Sequence, residues 1–433
     1  MFLLYIVAVC VVALAAWPFF AFALYWIDAL VFWIQSIFIV CPHCHKTLKE
    51  LYFKCPGCHR VYMELRPNLL HVFHLSCPCG EKLATTRIFG RSDYVAYCPH
   101  CRQAIGKHGG ESQIVAFPIV GGPSSGKTAF LMSTIRILTT TIADAKRWTP
   151  SFPYQKDALY ADKLRRLFNA GIRPDKTNDR VPTAFCVDYA GRGLGESKRL
   201  CLYDPSGETF AQDWEQLQKQ KYYNFMAGAI IVVDPFALPI LKEQIGEKIA
   251  ALGDDLNVCP VDQDLCAERF FARIASDSAQ KAEDGEETFA LYSKKELPCA
   301  VVVTKADALG LDNLIGEEGV RRFREKYPYY NYEDALDQVC RYWLQRWGGA
   351  NILNRLDHEF GKCRCFSVSA FGARTADDVG AFRPERIDLP MKWLLKEAGV
   401  EGRMSRQGIL VFLALAVVAP LSTLAVWVAT LVF

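Results

Sequence analysis

Hydrophobic residues crowd the two ends of the chain. Residues 1–40 carry one charged side chain, Asp28, and residues 408–433 carry none. A membrane helix needs about 20 such residues at about 1.5 Å rise each, so 408–433 is predicted to cross a bilayer once. Residues 1–40 are about twice as long as one crossing needs. They give either one crossing followed by an interfacial helix or two short crossings broken near Trp17 and Pro18. Asp28 favours a break or a surface position, because a charge in hydrocarbon is costly. A cleaved signal peptide ending near Ala13, Ala15 and Ala16 competes for the first stretch. It lacks a basic leading segment, and apolar sequence continues beyond it.

Between the ends the pattern is that of a folded α/β protein. Ile114 to Val120 is a short apolar run of strand type, and helical sequence follows from Ala129. Thr183 to Tyr189, Lys198 to Tyr203, Ala229 to Val233 and Cys299 to Thr304 are equally apolar. Such continuous runs suit parallel strands buried on both faces. The expected fold is a doubly wound, mostly parallel sheet over residues 114–402, preceded by a small module at 41–113. About 64 residues separate Asp234 from the Thr304 strand, more than one crossover helix requires. Within them Ala279 to Thr288 is charged and predicts an exposed loop. Arg321 to Trp347 is rich in Tyr and Trp; helical packing on the sheet is the favoured role and a docking face the alternative. No repeat or heptad is present, which argues against a membrane-scission machine with a long helical stalk.

Composition narrows the function. Of 433 residues 51% are hydrophobic, and 50 basic against 47 acidic side chains leave a formal charge of +3. That balance excludes a polybasic nucleic-acid binder and wholesale disorder. The 22% of charged residues excludes a pure multispan transporter.

Eight of the 17 cysteines fall in four close pairs, Cys41/Cys44, Cys55/Cys58, Cys77/Cys79 and Cys98/Cys101, each with proline after the first cysteine. A C-x₂-C turn offers two thiolates to one ion, and two turns complete a closed, structural tetrahedral zinc site. Disulfides are the competing reading and would be reduced on a cytoplasmic face. Two zinc ions are therefore expected, with iron the lesser alternative. Pairing in sequence order joins Cys41, Cys44, Cys55 and Cys58 in one site and Cys77, Cys79, Cys98 and Cys101 in the other; an interleaved arrangement remains open. Cys77/Cys79 is one residue short of the usual spacing. Residues 41–113 hold ten Lys/Arg against five Asp/Glu, which suits protein docking first, anionic lipid second and nucleic acid last. His71 and His74 have no partner at ligand spacing, and Cys259 and Cys266 read as ordinary buried thiols.

The strand at 114–120 leads into Gly121-Gly122-Pro123-Ser124-Ser125-Gly126-Lys127-Thr128. Strand, G-x₄-G-K-T and helix form a phosphate-binding loop. Its N–H groups and the helix N-terminus face the phosphates, Lys127 bridges β- and γ-phosphate, and the Thr128 hydroxyl ligates magnesium. The second further run ends in Asp204-Pro-Ser-Gly207-Glu208. An acid there can hold magnesium through water, and Gly207 can offer its N–H to the γ-phosphate without a side-chain clash. Pro123 removes one possible donor from the loop.

With Thr304-Lys305-Ala306-Asp307 and Phe366-Ser-Val-Ser369-Ala370 added in this order, residues 114–400 resemble the P-loop GTPases. The resemblance implies that Asp307 accepts from guanine N1 and N2, that Lys305 lies along the base, and that Ser369-Ala370 contacts O6. The loop and the Asp-Pro-Ser-Gly-Glu element look most like the translation-factor-related class. The architecture and the Arg383 to Leu395 segment resemble the double-GTPase proteins of bacterial conflict and defence systems. Where that family has Gln or His after the glycine, this chain has Glu208, whose charge repels phosphate unless protonated or turned away. Either hydrolysis of GTP to GDP and phosphate is slow and needs a partner, or another residue positions the water. The switch threonine is Thr177 or Thr183.

Lys46, Lys49 and Lys54 follow the first apolar stretch, and Lys392, Lys396, Arg403 and Arg406 precede the last. Both flanks of 41–407 thus read as cytoplasmic. The expectation is an inner-membrane-anchored GTP-binding switch with a protein effector or second GTPase as partner and its oligomeric state open. An ATP-driven nucleic-acid sensor and a non-hydrolysing nucleotide-bound scaffold are the rivals.

Overall fold

In the computed structural model the described residues are 17–29, 39–107, 112–174, 184–190, 197–205, 207, 223, 226–251, 256–284, 297–372 and 380–400, less a few single positions in the first two stretches. They fall into two compact units. One takes in the chain up to Ile114, and the other comprises Val115–Tyr189 with Leu200–Val400.

The first unit has little regular structure. Val61–Tyr62, Tyr52–Lys54, Ala96–Tyr97 and Ala104–Gly106 form a four-stranded sheet, and His74–Ser76 pairs with Lys82–Ala84. Phe53 lies opposite both Tyr62 and Ala96. The core is small: Leu48, Leu51, Phe53, Leu65, Leu83 and Ile105 pack with the inner cysteines. A module with so few apolar side chains commonly needs metal or cross-links to hold it.

The larger sheet has seven strands, β1 (Gln113–Val120), β2 (Thr149–Ser151), β3 (Ala184–Ala190), β4 (Ser197–Tyr203), β5 (Ala229–Val233), β6 (Pro298–Val303) and β7 (Lys362–Ser367), in the order β2-β3-β4-β1-β5-β6-β7. Strands β1, β5, β6 and β7 are parallel. Every residue of β5 and β6 is buried, as the unbroken apolar runs require. One expectation needs correction. Neighbours β3 and β4 are joined only by residues 191–196, too short for a parallel crossover, so this pair runs antiparallel. The short strand β2 carries Pro150 at the sheet's edge, where a missing N–H costs no ladder bond.

Register brings the polar positions together. Ile231 lies opposite Val120, Val233 opposite Val303, and Val303 opposite Ser367. The residues that follow, from Gly121, Asp234, Thr304 and Val368, therefore leave the sheet at one edge. Open α/β sheets place ligands at this carboxyl edge. The longer helices of this unit among the described residues are α1 (Lys127–Ile137), α2 (Gln155–Ala170), α3 (Pro239–Ala251), α4 (Gln263–Asp284), α5 (Glu317–Lys326), α6 (Tyr332–Trp347), α7 (Ala350–Glu359) and α8 (Asp388–Glu397).

Two further expectations change. Helix α4 runs to Asp284, so the first half of the expected loop at 279–288 is helical. The aromatics of 321–347 divide between roles: Trp343 is buried, whereas Tyr329 and Tyr342 are exposed. No helix among the described residues is long and apolar enough to cross a membrane. The run at 408–433 and most of 1–40 lie outside the described residues, as do Thr177, Thr183 and Glu208.

Phe366 is fully buried on β7, with its ring 5.9 Å from that of Trp393 on α8. Phe366→Ala is expected to lower the unfolding free energy by about 3–5 kcal/mol. Leu159→Ala, at an exposed position of α2, should stay within about 0.5 kcal/mol. Denaturant midpoints of the two variants check both values.

Candidate functional site

The four cysteine pairs form two quartets. Cys41 and Cys44 meet Cys98 and Cys101, and Cys55 and Cys58 meet Cys77 and Cys79, with all four sulfurs of each quartet within 4.8 Å of one another. Pairing in sequence order is thereby overturned: the first pair joins the last, and the second joins the third. Tyr52–Lys54 pairs antiparallel with Ala96–Tyr97, so the turns that follow these strands, at Cys55/Cys58 and Cys98/Cys101, leave the pair at opposite ends and fall in different quartets.

Each quartet could hold a tetrahedral metal ion. Sulfurs of different pairs lie 3.5 Å apart (Cys41–Cys101), 3.7 Å (Cys44–Cys98), 3.5 Å (Cys55–Cys79) and 3.4 Å (Cys58–Cys77). A tetrahedron with metal–sulfur arms of about 2.3 Å has edges of about 3.8 Å, so small expansions admit the ion. The turns are built alike. Cys41, Cys55, Cys77 and Cys98 donate their backbone N–H to Lys46, Arg60, Glu81 and Gln103 carbonyls. His59, Gly80 and Arg102, each following the second cysteine of its pair, have positive φ. The short Cys77/Cys79 turn ends the same way, with Gly80 supplying the left-handed residue at φ 95°. Backbone N–H groups point at sulfur, from His43 to Cys41 and from His100 and Cys101 to Cys98. The Cys79 backbone N–H holds the Cys77 thiol down to about 6, toward the thiolate a metal needs. His71 and His74 stand outside both quartets.

The second constellation stands at the carboxyl edge of the seven-stranded sheet. Gly126, at φ 95°, ends the loop and starts α1. The Lys127 ammonium is buried and donates to Gly121 and Gly122 carbonyls at 2.9 and 2.7 Å. Burial pulls its pKa below the usual lysine value, and the Asp204 carboxylate opposes that shift. The Thr128 hydroxyl donates to Asp204 Oδ2 at 3.2 Å, so the two residues assigned to magnesium meet. Ser124 takes φ 61°. The Ser125 hydroxyl is buried with no hydrogen-bond partner among the described residues. Gly207 presses on the same loop, since a Cβ there would stand 2.3 Å from Pro123 N.

The other expected cluster assembles as well. Ser369 Oγ donates to Asp307 Oδ1 at 2.5 Å and accepts from Gly372 N at 2.8 Å, which fixes the carboxylate's direction. The α1 hydroxyl of Ser133 donates to Ala370 O at 2.8 Å, tying this turn to the helix that follows the loop. Thr304 reaches the loop as well. Its buried hydroxyl donates to Ser125 O at 2.7 Å, so it braces the loop from Gly121 to Thr128.

Sequence reasoning missed Asp234. Its buried carboxylate accepts from Lys305 Nζ at 2.7 Å, Cys259 N at 2.8 Å and Phe236 N at 3.1 Å. Gln263 closes a two-way clasp with its backbone N and O, both at 2.7 Å. Lys305, at φ 55°, also donates to Asn257 O at 2.9 Å. The available signal was an acid at the end of an apolar strand, the same one that marked Asp204. Cys259 and Cys266 are buried thiols as expected, and burial pushes Cys266 up to about 12. Their position was not foreseen: a Cβ on Gly122 would meet Cys259 Sγ at 2.5 Å.

No protein-family model matches the chain, and no curated protein matches it. The assignment of chemistry therefore rests on the geometry.

The quartets make a sharp prediction. Metal analysis of the purified chain should find two ions, and Cys44→Ser combined with Cys98→Ser should leave one, because both belong to the same quartet. Pairing in sequence order would leave none.

Proposed function

We propose that the chain is a membrane-attached guanine-nucleotide switch whose first unit is stapled by two zinc ions. The observation that carries this reading is one sheet edge with two clusters. Lys127, Thr128 and Asp204 stand at the phosphate loop, and Asp307 is aimed by Ser369. An ammonium and the N-terminus of α1 suit phosphate charge. The Thr128–Asp204 pair suits magnesium, which would neutralise the charge developing on the phosphates. A carboxylate that accepts two N–H bonds suits guanine, whereas adenine offers no matching pair of donors. The buried Ser125 hydroxyl is a donor with a use once a phosphate or its water lies in the loop.

Zinc is the proposed metal because closed all-thiolate tetrahedra are its usual structural site. The γ-phosphate and magnesium would order the Gly207 segment, and hydrolysis to GDP would release it. Glu208 in place of a water-orienting amide makes turnover slow. An effector protein or a second GTPase is the proposed partner, as the resemblance to conflict-system proteins implies. Membrane attachment, with residues 41–407 on the cytoplasmic side, rests on the apolar runs and their basic flanks.

Titration with labelled GTP and ATP in magnesium tests the reading. GTP should bind at least about 100-fold more tightly than ATP, since buried guanine-reading groups left unpaired discriminate strongly. Asp307→Asn should lose GTP affinity and gain xanthosine triphosphate, whose C2 carbonyl accepts from the new amide. Equal binding of ATP and GTP, or unchanged GTP affinity in Asp307→Asn, would discard the guanine assignment.

A further inference from the structure

Asp28 is the only charge in the first 40 residues, and the structure shows what answers it. Arg91 Nη1 and Nη2 reach the two Asp28 carboxylate oxygens at 2.9 and 3.3 Å. Arg91 is 5% exposed and its Nη1 also donates to Leu65 and Thr85 carbonyls, each at 2.9 Å. A bidentate pair of this kind is strong and directional. Residues 17–29 are helical at every described position, so the pair clamps this helix to the cysteine module.

The contact is apolar elsewhere. Trp17 Nε1 donates to Leu69 O at 3.0 Å, and the Trp17 and Phe20 rings lie 6.5 and 5.9 Å from Phe73. Ala21, next to Phe20 in sequence, is buried. Positions 17, 20, 21 and 28 share one helical stripe. The opposite side is apolar too: Phe22, Tyr25 and Trp26 are 63%, 38% and 56% exposed, with Trp26 edge-on to both neighbours. Where the helix begins, the module's own loop presents Leu69 and Leu70, the latter 86% exposed.

A helix that is apolar all round belongs inside a protein or in lipid. One side touches the cysteine module, with Ala21 buried but Trp17 and Phe20 still 43% and 44% exposed. For the other, three features point to a bilayer. Trp and Tyr are the side chains favoured at the membrane–water interface, with an apolar ring and one polar atom. The adjoining stretches 1–16 and 30–38 contain no charged residue, so the helix lies within a continuous apolar segment. Asp28, the one group that would resist lipid, is already neutralised by Arg91.

We propose that the outer side of helix 17–29 and the Leu69–Leu70 loop form one surface that inserts into the headgroup region of a lipid bilayer. The Asp28–Arg91 pair holds helix and metal module together, so that both enter as a unit. The proposal rests on the membrane attachment argued above and adds the surface that meets lipid.

Photo-crosslinking of the full chain tests it. A benzophenone amino acid replaces Leu70, Trp26 or, as control, the exposed Leu159, in vesicles of phosphatidylethanolamine and phosphatidylglycerol. Lipid adducts are expected to be several-fold more abundant at 70 and 26 than at 159. Leu69→Asp with Leu70→Asp should lower the adduct at 26 several-fold while bound metal stays at the unaltered level. A chain that does not float with vesicles overturns the attachment itself. One that floats without lipid adducts at 70 and 26, or with adducts mainly to a second copy of the chain, overturns this surface alone.

Discussion

Asp234 closes a strand of five buried apolar residues, so its charge has to be answered where it stands. Lys305 answers it at 2.7 Å, and the Cys259 and Phe236 amides complete the shell. Removing one member of such a buried pair typically costs about 3–5 kcal/mol, because the other charge is left without a partner. The pair does more than cancel charge. Lys305 reaches the carboxylate from a backbone at positive φ, two residues before Asp307. The Gln263 clasp on the Asp234 backbone joins the same point to α4. The placement of the carboxylate proposed to read a base thus depends on an ion pair at the end of a neighbouring strand.

The loop from Gly121 to Thr128 is held by a similar division of labour. Thr304, beside Lys305, gives its hydroxyl to Ser125 O, while Ser133 on α1 gives its own to Ala370 O. Each bond links the loop or its helix to one of the segments around Asp307 and Ser369. Short hydrogen bonds thus tie the two clusters together. Gly207 packs on Pro123 without room for a side chain, which gives the Asp204 segment direct contact with the loop it would sense.

The cysteine module solves a different problem. Its core holds few large side chains, and the two quartets stand where a larger domain would have further layers of packing. Nesting one pair of turns inside the other ties the beginning of the module to its end. Loop closure over a long stretch constrains the unfolded chain more than closure within one hairpin. Arg91, buried in the same module, bonds to its Leu65 and Thr85 carbonyls as well as to Asp28; a side chain that contributes to the module's interior thus also binds the preceding helix.

Short spacings were legible in the sequence because local geometry determines them: the knuckles from Cys41 to Cys101, the loop from Gly121 to Thr128, the runs that became β1, β5 and β6. Asp204 and Asp307 could be picked out because each follows an apolar strand in a recognisable string. What the tertiary structure decided were choices between distant partners of equal chemical merit. Any two cysteine turns can complete a tetrahedron, and the fold brought the first to the last and the second to the third. Thr304 carries a hydroxyl equally able to face a ligand or a carbonyl, and the approach of Ser125 settled it. Asp234 showed only as an acid after an apolar strand and Arg91 gave no local pattern, since a buried charge is defined by the partner that the fold brings to it.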